Sequence, residues 1–225
     1  MKKNILDTGV KNVKNVGGYI FENESIKNLG SIVKDLTISI KPYVLVFLDC
    51  ALINNTFIKN QIESFQVIVV DTAKEPSTDE IDKIMLRIKN KIPDLIVAIG
   101  GGNTMDTAKA CSNLYTNPGK ASDYQGWDLV KNKGILKIAI PTISGTGSEA
   151  TRTCVMTNSK NGLKLGMNSD FTVFDYVIMD PSLSSSVPRN QFFYTGMDAY
   201  IHCLESLEGI YRNPIGDSFS NQTLS

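Results

Sequence analysis

Only one histidine, His202, stands in this sequence, with one tryptophan and four cysteines. A single imidazole argues against a Ser-His-Asp hydrolase triad. Cys50, Cys111, Cys154 and Cys203 lie far apart with no CxxC, so they read as reduced core or near-core residues of a cytoplasmic protein. An excess of charge is missing too: 23 basic residues balance 23 acidic ones. That balance gives no long-range pull toward nucleic acid or membrane lipid. No run reaches the roughly 18 apolar residues of a membrane-spanning helix. The opening "MKKNILDTGVKNVKNVGG" has lysines without a continuous apolar stretch behind them, which excludes a signal peptide. Internal repeats and low-complexity tracts are absent as well.

What is present is a globular composition, 42% hydrophobic and 20% charged, enough for one core or for one domain plus part of another. "YVLVFLD" (43–49), "FQVIVVD" (65–71), "DLIVAIG" (94–100) and "GILKIAIP" (134–141) are short apolar runs of the kind that form buried strands. Between the second and third, Ser77 or Thr78 caps a helix whose Ile81, Ile84, Met85, Ile88 and Ile92 fall at helical spacing, with Pro93 ending it. "NTMDTAKACSNLY" (103–115) has the small-residue pattern of a helix packed closely on a sheet. Strand and helix alternating at these lengths predict an α/β fold, a Rossmann-like parallel sheet. The polar stretch 115–134 reads as a long loop. After Asp180–Pro181 the alternation stops. The spacing predicts a dinucleotide-binding α/β domain over 1–180 and the beginning of an incomplete helical domain over 181–225, too short for a core of its own. Phe192, Phe193, Ile201 and Leu204 are then expected to stand uncovered.

Two loops carry the first chemistry. In "AIGGGNTMDTAKA" a strand runs into Gly100, Gly101 and Gly102, and a helix starts near Asn103. Glycines let a backbone approach a ligand, and the N–H groups of a helix start attract an anion such as a diphosphate. In "IAIPTISGTGSEATRT" a second strand ends at Thr142, Ser144 and Thr146, hydroxyls able to bond an amide or a ribose. Each loop alone could equally be a tight turn bonding its own backbone. Together they lie at the carboxyl edge of one parallel sheet, where open α/β sheets bind ligands. Asp49, ending the first strand, is either a ribose-binding carboxylate that repels a 2′-phosphate or a solvated loop acid. Asp106 either faces a substrate or completes a helix N-terminus. Arg152 either anchors an acidic substrate or makes a surface ion pair.

The last segment is "TGMDAYIHCLESLEG", where Asp198 and His202 sit at i and i+4 on one helix face. That is half of a metal site or a satisfied helix histidine. Glu205 near the same face is a supporting partner or a surface acid.

In this order, "DLIVAIGGGNTMDTAKA", "IPTISGTGSEAT" and "DPSLSSSVPRNQFFYTGMDAYIHCLES" resemble the three signature segments of the iron-containing (group III) alcohol dehydrogenase family. "DYQGWDLV", "SEATRTCVMTN" and "KLGMNSDFTVFD" resemble its sugar-oxidising branch, typified by 3-deoxy-octulosonate 8-oxidase. The resemblance implies a dehydroquinate synthase-like fold with an α/β domain before an all-helical one. It implies hydride transfer between NAD (NADP less so) and an alcohol or the terminal carbinol of a sugar acid. It adds Thr151 and Lys164 as cofactor-side residues. It also implies a divalent metal, Fe²⁺ or Zn²⁺, on Asp198, His202 and two further histidines outside this sequence, which then reads as the front part of a longer enzyme. A homodimer is compatible with it. Two rivals stay open: a dehydroquinate synthase-like lyase, against which "SGTGSEAT" counts, and a nucleotide-binding remnant without catalysis.

Overall fold

Val44 to Leu48 are five consecutive apolar residues, and such a run is stable only where both of its faces are covered. The computed structural model, which describes residues 14–209 and 213–225, covers both. The stretch read above as lacking a signal peptide falls largely on residues 1–13, outside the described residues.

In chain order the elements are β1 (Gly18–Phe21), α1 (Leu29–Leu36), β2 (Val44–Asp49), α2 (Thr56–Ile62), β3 (Gln66–Val70), α3 (Thr78–Ile88), β4 (Leu95–Gly100) and α4 (Gly102–Leu114). After these come β5 (Gly126–Trp127), β6 (Lys137–Pro141), β7 (Thr153–Thr157), β8 (Lys164–Asn168), β9 (Tyr176–Met179), α5 (Arg189–Glu208) and α6 (Pro214–Leu224). Six strands form one sheet in the order β1-β9-β6-β4-β2-β3, with every neighbouring pair parallel. Along β2, Leu45 and Phe47 join one core cluster with α3 and α4, while Val44, Val46 and Leu48 join another with α1 and α2. Helices therefore cover both faces, as the strand–helix alternation requires.

The chain passes from β2 outward to β3, then back across β2 to β4. That reversal is the switch point at which open α/β sheets leave a crevice beyond the strand ends. Asp49 ends β2 and Gly100 ends β4 on its two sides. They touch: a Cβ on Gly100 would lie 2.8 Å from the Asp49 Cβ.

Beside β1, α1, α2 and β9, the pattern did not reveal a second sheet. β7 and β8 pair antiparallel, and β5 adds in parallel to form a second, three-stranded sheet. β5 lies inside the stretch expected to be loop, which is pinned to the end of α4 by Asn117. The Asn117 Oδ1 accepts from the Lys131 and Asn132 amides, both at 2.9 Å. α3 also ends earlier than expected, at Ile88, and Ile92 is exposed rather than on the buried face. Its start agrees with the expected cap, the Ser77 hydroxyl accepting from the Glu80 amide.

Asp180 closes the α/β unit. Its carboxylate accepts from the amides of Glu24, Ile26 and Ser182 and from the Ser182 hydroxyl. Burial alone would raise its pKa, but these hydrogen bonds outweigh it and hold the group below the ordinary aspartate value. Beyond it α5 and α6 lie together, with Ser206 and Ser220 hydroxyls 2.6 Å apart. Phe192, Phe193, Ile201 and Leu204 are exposed, as expected. The four cysteines are free, Cys111 and Cys154 fully buried. Among the described residues no helix is long and apolar enough to cross a membrane.

Candidate functional site

Seven of the nine residues expected on the cofactor side line one cleft of about 710 Å³: Asp49, Gly101, Gly102, Asn103, Thr142, Ser144 and Thr146. That volume lies within the range of ordinary small-molecule and cofactor sites. The strands explain the convergence, because β2, β4 and β6 are adjacent and all point their carboxyl ends at the cleft. The Thr142 amide donates to the Gly100 carbonyl at 3.1 Å, which locks the two loops side by side.

One wall is the start of α4. Gly101 is its N-cap, with no side-chain cap hydrogen bond. The first amides of a helix have no partner within it, so they can serve an anionic ligand. Gly102 has no room for a side chain, since an added Cβ would meet Thr146 Oγ1 at 2.8 Å. Asn103 spends its side-chain amide on the protein, donating to the carbonyls of Thr72 (3.4 Å) and Lys74 (3.1 Å). At the other wall, Asp49 Oδ1 accepts from the Ala51 amide at 3.0 Å and from the Thr72 hydroxyl at 2.9 Å.

The opposite side of the cleft comes from the segment after Asp180 and from α5, including Val187, Pro188, Gln191, Tyr194 and Thr195. Sequence reasoning missed this wall. The only available signal was the Ser-rich turn preceding a helix. Gln191, Thr195, Asp198 and His202 follow one another at spacings of four, three and four, so they share one stripe of α5. The His202 and Asp198 side chains therefore continue the cleft face by two turns, about 10 Å beyond Thr195. Their Nε2 and Oδ1 atoms are 3.7 Å apart, both side chains half-exposed.

Four expected residues lie elsewhere. Thr151 accepts from the Lys109 ammonium through its hydroxyl and its carbonyl, at 3.2 and 3.0 Å. Lys164 pairs with Glu75 at 2.5 Å. Arg152 pairs with Asp128 and Asp170 and lies over the Trp127 ring. Asp106 is bonded on both oxygens, by the Ser148 hydroxyl (2.5 Å) and the Val155 amide (2.9 Å). Thr151, Arg152 and Asp106 are thus bonded to the protein and do not line the cleft.

Burial dominates the electrostatics of that region. It raises the Asp106 carboxyl, an effect opposed by the nearby Lys109 charge and by the two hydrogen bonds. It lowers the Lys109 ammonium, which Asp106 partly restores. Burial also raises the Glu149 carboxyl and pulls Lys137 down to about 8, against the attraction of Asp175. Sequence reasoning did not anticipate either buried lysine.

A nicotinamide dinucleotide fits the observed cleft by volume, by the side-chain-free glycine wall and by the helix start. A metal centre is not completed. Among the described residues no group of three or more His, Cys, Asp or Glu could hold an ion, and a tetrahedral site needs four donors.

The family model for iron-containing alcohol dehydrogenase matches residues 17–181. The chain belongs to that family. It is 41% identical over 150 residues to a sulfoacetaldehyde reductase of Bilophila wadsworthia, a match covering 67% of this chain and 39% of that protein. Its fold superposes on an alcohol dehydrogenase from Oenococcus oeni with a TM-score of 0.84 and 26% identity, over 95% of this chain and 57% of the other. A sulfoacetaldehyde reductase from Bifidobacterium kashiwanohense in complex with NAD+ gives 0.83 and 26%, over 94% and 57%. The chain thus spans well under two thirds of the relatives it matches.

Proposed function

We propose that this chain forms the dinucleotide-binding part, and half of the metal-binding part, of an oxidoreductase that moves hydride between NAD and an alcohol. The single observation that carries the reading is the convergence of seven independently expected residues on one cleft at the sheet's switch point. A bound nicotinamide supplies the hydride acceptor or donor. The chain's own residues bind and orient it. The α4 amides at Gly102 and Asn103 hold the diphosphate, and Asp49 accepts from a ribose hydroxyl. Thr142, Ser144 and Thr146 hold the nicotinamide end against the α5 wall. NAD is chosen because a folded relative is named in complex with NAD+ and because Asp49 disfavours a 2′-phosphate.

Asp198 and His202 are the two donors offered toward a divalent metal, iron or zinc, and no step is assigned through it because two donors do not complete a site. The substrate class we propose is an alcohol or aldehyde, with the terminal carbinol of a sugar acid as its narrower form. The free cysteines suit a reducing compartment and support a cytoplasmic setting.

A second reading is a nucleotide-binding module without catalysis. Titrating residues 1–225 with NAD+, then with Fe²⁺ and Zn²⁺, followed by an alcohol oxidation assay, tests both. The expected result is saturable NAD+ binding, weak or absent metal binding and no turnover. A protein joining this chain to further histidine ligands is expected to oxidise an alcohol. NAD+ binding without turnover there would favour the module, and a folded chain that ignores NAD+ would reject both readings.

A further inference from the structure

Three cleft-lining residues from three different elements are tied in series. Asn103, in the first turn of α4, donates its side-chain amide to the Thr72 carbonyl. Thr72, just past β3, donates its hydroxyl to Asp49 Oδ1 at 2.9 Å. Asp49, ending β2, takes a second bond on the same oxygen from the Ala51 amide. Its other oxygen, Oδ2, accepts no hydrogen bond among the described residues. Cys50 Sγ also lies 3.5 Å from the Thr72 hydroxyl, so that hydroxyl can accept a thiol proton while it donates to Asp49. All three residues line the one cleft, together with the glycine loop.

A carboxylate at the end of a strand is free to turn about its side-chain bonds unless something fixes it. Two donors on one oxygen fix it and leave the second oxygen without a protein donor among the described residues. From this geometry we infer that Thr72 is a positioning residue for dinucleotide selectivity, holding Asp49 so that Oδ2 meets a ribose 2′-hydroxyl and repels a 2′-phosphate. The inference rests on the cleft being a dinucleotide site. Asn103 sets where Thr72 stands, so the ribose end and the diphosphate end of the cleft share one hydrogen-bonded frame. Removing the Thr72 hydroxyl leaves the Asp49 charge in place but lets it swing away. NAD affinity then falls and NADP affinity rises, which a loss of folding alone would not produce.

The test is the ratio of NAD+ to NADP+ dissociation constants, measured by titration of the 225-residue chain, with far-UV circular dichroism confirming that each variant is folded. Thr72→Val is expected to narrow the preference for NAD+ about tenfold, the scale of one hydrogen bond to a charged group. Thr72→Ser, which keeps the hydroxyl, is expected to restore it. Asp49→Ser should abolish the preference, and adding Thr72→Val to Asp49→Ser should change the ratio no further. An unchanged ratio in Thr72→Val, or an equal change with and without Asp49, overturns the role of Thr72 while leaving the cleft assignment intact. A folded wild type that binds neither dinucleotide overturns the cleft assignment, and the inference with it.

Discussion

Gly102 and Thr146 pack side by side at the cleft so closely that a Cβ on the glycine would lie 2.8 Å from the threonine Oγ1 and 2.9 Å from its Cγ2. The glycine-rich turn and the hydroxyl-rich loop are therefore one packed unit. Gly102→Ala is expected to cost about 1–3 kcal/mol of stability, the usual range for overpacking. Thr146→Ala in the same chain should return most of that loss. A double-mutant cycle by denaturant unfolding checks the pair, and simple additivity would show that the two loops do not press on one another.

Gly145 makes the corresponding contact with the helical part. Its φ is +155°, and an added Cβ would lie 2.7 Å from the Thr195 Cβ and 2.8 Å from its carbonyl oxygen. Gly145→Ala is strained at its own backbone and pushes against α5, a helix with no buried residue to hold it. The expected result is faster limited proteolysis within α5 and weaker NAD+ binding, with the parallel sheet still folded. Unchanged cleavage of α5 would mean that the helix is held by something other than this contact.

Asp180 gives the fold an acid-side dependence. Its folded pKa lies below the ordinary value, so its contribution is present above the unfolded pKa of about 4. It is lost as the pH falls through the lower folded value. Asp180→Asn is expected to be less stable by about 1–2 kcal/mol at pH 7, where charge-assisted hydrogen bonds are lost. That difference should shrink in thermal melts below about pH 4. A gap that stays constant down to pH 2 would contradict the assignment.

Arg152 is held by Asp128 and Asp170 at the surface, and both of these acids are more than half exposed. Exposed pairs contribute about 0–1 kcal/mol. Arg152→Ala should therefore change stability within that range. In a complete enzyme it should leave KM nearly unchanged for a sugar acid and for a neutral alcohol alike. A selective effect on the acid would restore Arg152 as a substrate anchor.

The cleft was legible in the sequence because its parts are local. Strand ends, glycines and a helix start occupy adjacent positions, and parallel topology alone brings them to one edge. The Asp198 and His202 pair was legible from its i, i+4 spacing, and the family resemblance supplied its reading as metal ligands. What was not legible depended on contacts distant in sequence. β7 and β8 carry mixed polar and apolar residues without a clean alternation, so their pairing emerges only when Thr153 meets Asn168 across the hairpin. Nothing local in the sequence marks Thr72, and only the fold sets it against Asp49. Lys109 lies in the small-residue helix as if solvated, yet three oxygens from the chain around Thr151 and Thr153 close over its ammonium. Ile92 fitted the helical spacing, but α3 stops at Ile88, where the Lys89 amide returns to the Met85 carbonyl.

Hydrogen–deuterium exchange of the 225-residue chain with and without saturating NAD+ tests the central claim most directly. Protection is expected at residues 49–52, 100–104 and 142–147, with a smaller effect at 186–195, and none along the far ends of the same strands. Saturable binding that protected only other segments, or a folded chain showing no protection in any of these, would contradict the account.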